Sequence, residues 1–86
     1  MTEAVQRVGV CIWDTMVDPH NADKEALRAV ATDFLKATKD TPRTALVEAA
    51  RDAALDAILW VDSGDPEKLS KLRHSSRRFE QLRLPS

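Results

Sequence analysis

The chain of 86 residues is short of several residue types at once, and each shortage removes a class of protein. It has no tyrosine and only two glycines, which argues against a sheet-rich fold joined by tight turns and against a glycine-rich phosphate cradle. The lone cysteine, Cys11, has no partner for an internal disulfide, the staple that a secreted domain of this size often needs. The two histidines, His20 and His74, have no second histidine, cysteine or paired carboxylate at metal-ligand spacing. Both read as surface residues, and neither a metal nor another cofactor is expected. Neither sign of charge dominates, with 13 basic against 14 acidic residues, so no global field advertises nucleic acid or membrane. The longest apolar run, Val8 to Trp13, is far too short to span a bilayer.

The first ten residues, MTEAVQRVGV, carry an early glutamate and no basic stretch ahead of a sustained apolar core, so they do not read as a signal peptide. Together with the unpaired cysteine this points to a cytoplasmic protein. Met1 favours a natural N-terminus, whereas nothing marks the C-terminus as one.

What remains is a helical signal. Alanine supplies 12 of the apolar residues, and Leu, Ile, Val and Phe together number 20, enough for one small core. A cap residue followed by proline occurs three times, as Asp18-Pro19, Thr41-Pro42 and Asp65-Pro66. Such a pair suits a helix start, because the cap side chain accepts from free backbone N–H groups while proline occupies a position whose N–H has no partner. The punctuation predicts helices over about 19–39, 42–62 and 66–82, with a fourth element at 3–17.

That first element is ambiguous. Val8, Val10 and Ile12 alternate as in a strand, yet Glu3, Arg7, Asp14 and Asp18 fall on one side of a helix and Val5, Val8, Ile12 and Met16 on the other. Helix is the better reading, although Gly9 at its middle costs about 1 kcal/mol relative to alanine. The second helix, which starts at about Pro19 or, after a loose turn, at Ala22 with Asn21 or Asp23 as an alternative cap, buries Leu27, Val30, Ala31, Phe34 and Leu35. The third presents a broad, alanine-lined arc from Leu46 to Val61, suited to a central position, and Gly64 ends it. The fourth has a thin stripe of Leu69, Leu72, Ser76 and Phe79, with Ser75-Ser76 expected to loosen it. Short connections make consecutive helices antiparallel, and the predicted fold is an all-α, up-and-down four-helix bundle forming a single domain.

No catalytic residue is proposed. Cys11 sits at the edge of an apolar stripe and reads as a small, partly buried hydrophobe. Glu48, Asp52 and Asp56 line one face of the third helix, but Mg²⁺ requires convergent oxygens, so they read as a solvated acidic face. Two features point instead to binding. Residues 66–86 hold 6 basic and 2 acidic residues, whereas residues 1–65 hold 7 and 12. The basic excess lies on the fourth helix at Lys71, Arg73, Arg77 and Arg78, which either neutralises the acidic face of the third helix or faces a partner. Leu55 and Leu59 lie one turn apart on the otherwise polar side of the third helix, either as a wider buried surface or as a seam for another chain. The tail residues Leu82, Leu84 and Pro85 add further apolar surface.

The sequence therefore predicts a non-enzymatic helical module that binds a protein partner or copies of itself. Leu55 and Leu59 are its expected anchors, and Arg73, Arg77 and Arg78 its expected charged contacts. The alternative is a nucleic-acid or other polyanion binder using the same arginines, although no aromatic residue sits among them in sequence to stack on bases. No membrane partner is expected.

Overall fold

The computed structural model describes residues 2–83 and consists of four helices: α1 (Thr2–Val17), α2 (Lys24–Ala37), α3 (Ala45–Ser63) and α4 (Pro66–Arg83). They form a small all-α four-helix bundle. Each consecutive pair runs antiparallel. Arg28 near the start of α2 meets Asp62 near the end of α3, while Arg51 in α3 reaches Leu35 and Thr38 at the end of α2. The first and last helices are antiparallel too, since Arg83 at the end of α4 meets Gln6 in α1 and Trp13 and Met16 lie beside Arg73 and Ser76. Among the described residues α1 and α3 touch across the bundle, whereas α2 and α4 do not meet. The alanines of α3 explain the closed diagonal: Ala49, Ala50, Ala53, Ala54 and Ala57 are all buried, and their small side chains let the neighbouring backbones approach.

The first element is a helix, with Val5, Val8 and Ile12 buried as the helical spacing requires. The fully buried Ile12, Leu27, Leu72 and Phe79 join α1, α2 and α4 to the alanine arc. Each such side chain contributes about 1.5–3 kcal/mol relative to exposure.

Only one of the three cap-proline pairs starts a helix. At Asp65-Pro66 the Asp65 carboxylate accepts from the Glu67 N–H at 2.9 Å, and Pro66 opens α4. At Asp18-Pro19 the chain instead turns: the Asn21 N–H donates to the Asp18 carbonyl at 3.2 Å and the Asn21 amide to the Asp18 carboxylate at 2.8 Å. Proline suits the second position of such a turn as well as the start of a helix. The helix begins at Lys24, not Pro19, and the alternative cap Asp23 serves, accepting from the Ala26 N–H at 3.0 Å. Similarly α3 begins at Ala45, not Pro42, with Thr44 as its cap. The intervening segment is committed to closing α2, since Arg43 donates to the carbonyls of Thr38 and Lys39.

The end of α3 matches expectation. Gly64 has φ +66°, a left-handed conformation that favours glycine, and its N–H donates to the Trp60 carbonyl at 2.8 Å. Ser75 and Ser76 do not loosen α4, which continues to Arg83. Their hydroxyls bond back to the carbonyls of Lys71 and Arg73, each at 3.0 Å, so the buried Ser76 is satisfied within its own helix.

Candidate functional site

The five residues expected to bind a partner divide between the two flanks of α4. Leu55, Leu59 and Arg78 line a groove of about 500 Å³ on the outer α3–α4 side, together with Asp52, Asp56, His74 and Ser75. Arg73 and Arg77 line a second groove, of about 670 Å³, on the α1–α4 side, with Trp13, Met16, Glu80 and Gln81. The expected set is therefore not one site.

In the α3–α4 groove Leu55 is 49% exposed and Leu59 47%, which excludes the reading of this pair as a wider intramolecular core. Carboxylates Asp52 and Asp56 stand on the α3 wall, and His74 and Arg78 on the α4 wall. The walls do not neutralise each other by ion pairing. Asp56 accepts from the Ser75 hydroxyl, and the described residues make salt bridges only between Arg28 and Asp62 and between Arg83 and Glu80. Lys71, Arg73, Arg77 and Arg78 are all exposed and have no carboxylate within ion-pair distance among the described residues.

The α1–α4 groove was not legible as a site. Its wall on α1 is Trp13, 53% exposed, with Met16 behind it, and Val10 and Val17 extend the apolar surface at 51% and 70% exposure. Val10, Trp13 and Val17 are spaced i, i+3 and i+7, so α1 carries a second apolar stripe beside its buried one. That spacing was the available signal. Glu80 lines the groove, but Arg83 holds it through a forked contact, with Nη2 at 2.7 Å and 3.0 Å from the two carboxylate oxygens. Both side chains are almost buried, at 8% and 12% exposure. Gly9 makes room for this pair: a Cβ there would lie 2.5 Å from Arg83 Nε and 2.7 Å from its Cδ. The glycine that weakens α1 is thus where the Arg83 guanidinium packs onto the helix. Leu82 is 41% exposed on α4, while Leu84 and Pro85 lie outside the described residues.

Cys11 is half-buried in a cleft with Asp14, Asp18 and Asp23. Burial, and then the negative charges of Asp14 and Asp23, push its thiol above the ordinary range, against a smaller opposing effect from Arg7. Such a thiol is a poor nucleophile near neutrality, where only the thiolate attacks. His20 and His74 are exposed, and the described residues contain no group of three or more His, Cys, Asp or Glu able to hold a metal ion. Glu48 and Asp52 are exposed and Asp56 partly so, one face of α3 rather than a converging set. No described helix is long and apolar enough to cross a membrane. No protein-family model matches the chain, and no match is found among curated proteins or solved structures.

Proposed function

We propose that this protein is a small non-enzymatic helical interaction module that self-associates through the outer α3–α4 face. The observation that carries the reading is the pair Leu55 and Leu59, half exposed and one turn apart between walls of opposite charge. A two-fold axis through the leucines sets the Asp52 and Asp56 wall of each copy against the His74 and Arg78 wall of the other. A closed dimer needs this kind of self-complementary patch. The leucines supply buried apolar area. The Arg78 guanidinium, which has no internal carboxylate partner among the described residues, pairs with an opposing carboxylate and sets register more than affinity. The single, half-buried and poorly reactive Cys11 fits a reducing, cytoplasmic setting.

Sedimentation velocity over a wide concentration range tests the proposal. A monomer–dimer equilibrium is expected, abolished by Leu55→Asp with the helical circular dichroism unchanged, and weakened by Arg78→Glu. A wild-type protein that stays monomeric up to near-millimolar concentration refutes it. The second reading, a polyanion binder, is supported by the exposed and unpaired Lys71, Arg73, Arg77 and Arg78. It predicts binding to single-stranded or duplex oligonucleotides that weakens steeply with salt and is lost when Arg77 and Arg78 are replaced.

A further inference from the structure

We infer that the α1–α4 groove is a second docking site, for an acidic amphipathic helix of a partner protein. The groove is independent of the self-association face, since it lies on the other flank of α4 and shares none of its lining residues. Its chemistry is apolar on one wall and cationic on the other. Trp13 and Met16 form the α1 wall, with Val10 and Val17 continuing the exposed stripe along that helix. Arg73 and Arg77 stand on the α4 wall, one turn or about 6 Å apart along the axis. The carboxylate within the groove does not offset them, because Glu80 is already held by Arg83. Two guanidiniums without ion-pair partners among the described residues thus face a half-exposed indole.

The occupant that fits is a helix with carboxylates one turn apart, matching Arg73 and Arg77, and an apolar stripe that covers Trp13 and Met16. Arginine forks recognise carboxylates in this way, and an amphipathic helix laid in a groove is a recurrent binding mode. The apolar wall decides against a nucleic acid, because phosphates gain nothing from Met16 and a single indole offers stacking for one base only. The exposed Glu3 and Asp14, which outnumber Arg7 on the same side of α1, decide against an anionic bilayer. They border the valine stripe on its side away from α4, where a flat negative surface would meet them, whereas a helix seated in the groove would not.

The test uses fluorescence anisotropy of a labelled synthetic helix with leucines at i, i+3, i+4 and i+7 flanked by glutamates. Its controls are a lysine-for-glutamate version and a scramble of the same composition. The wild-type protein is expected to bind the glutamate helix in preference to both controls. Trp13→Ala should weaken that binding about thirtyfold, the usual loss for a central aromatic anchor. Arg73→Glu with Arg77→Glu, both at exposed positions, should abolish it and confer binding of the lysine helix. Leu55→Asp should leave it unchanged, so failure of the self-association reading does not affect the result. Absence of binding, equal binding of the scramble, or retention of affinity in the charge-reversed variant overturns the proposal. Tighter binding of a single-stranded oligonucleotide or of phosphatidylserine vesicles than of the glutamate helix also overturns it.

Discussion

Replacing Arg51 with alanine should destabilise this protein more than any other single charge removal on α2 or α3. Its Nη1 donates to the Leu35 carbonyl at 2.9 Å and to the Thr38 hydroxyl at 2.6 Å, and Thr38 is fully buried with its own hydroxyl donating to the Phe34 carbonyl at 2.7 Å. One guanidinium thus satisfies acceptors in the last turn of α2, where carbonyls otherwise lack partners and where the helix dipole favours positive charge. Hydrogen bonds from a charged donor contribute about 1.5–3 kcal/mol, and the dipole adds about 0.3–1 kcal/mol. The expected loss is therefore about 2–4 kcal/mol. Stability for 86 residues is about 4–13 kcal/mol, so a large share of the total would go. At about 4–8 °C per kcal/mol, Tm should fall by roughly 8–30 °C. Urea denaturation followed by circular dichroism would give the value directly, with Arg28→Ala as the comparison. Arg28 pairs with Asp62 at 2.9 Å, but both side chains are about half exposed, so its loss should cost under about 0.5 kcal/mol. If Arg51→Ala proves no worse than Arg28→Ala, the clamp on α2 contributes nothing and the reasoning fails.

Gly9→Ala should not deliver the roughly 1 kcal/mol that a mid-helix glycine normally offers, because its Cβ would displace Arg83 from Glu80. In an Arg83→Ala background the same change should stabilise, and a double-mutant cycle without coupling would refute the packing argument. Leu55→Asp should convert a dimer to a monomer while leaving thermal stability of the monomer within about 0.5 kcal/mol, as expected for an exposed position. At Cys11 the raised thiol pKa means that the unfolded chain releases its proton first as pH rises. The fold therefore loses stability above about pH 8.5, and Cys11→Ala should flatten that decline. Native-state alkylation of Cys11 should also be slower at pH 8 than that of a short cysteine peptide, and equal rates would contradict its burial.

The periodic positions in the sequence predict the fold well because burial depends on spacing that any helix imposes. Val5, Val8 and Ile12 on α1 and the alanine arc of α3 illustrate this, each fixed by one element's own geometry. Helix starts were less legible. Asp18-Pro19 and Thr41-Pro42 are chemically sound caps, but a proline that suits the first helical position equally suits a turn. The choice was made by competing local contacts, Asn21 bonding back to Asp18 and Arg43 closing α2. The same limit applies to the surfaces. Leu55 and Leu59 were visible because two leucines interrupt a polar face, a feature of one helix alone. Trp13 was not visible as a companion of Arg73 and Arg77, since sixty residues separate them and only the antiparallel docking of α1 on α4 places them in one groove. The absence of an aromatic among the arginines therefore held in sequence but not in space. Gly9 makes the same point for stability: its cost belongs to α1, and its compensation is a guanidinium from the far end of α4. Features confined to one helix could be read directly from spacing, whereas those shared between helices required the packing. Both proposed interfaces are of the second kind, which is why Arg78 belongs with the leucines and Arg73 and Arg77 with the indole.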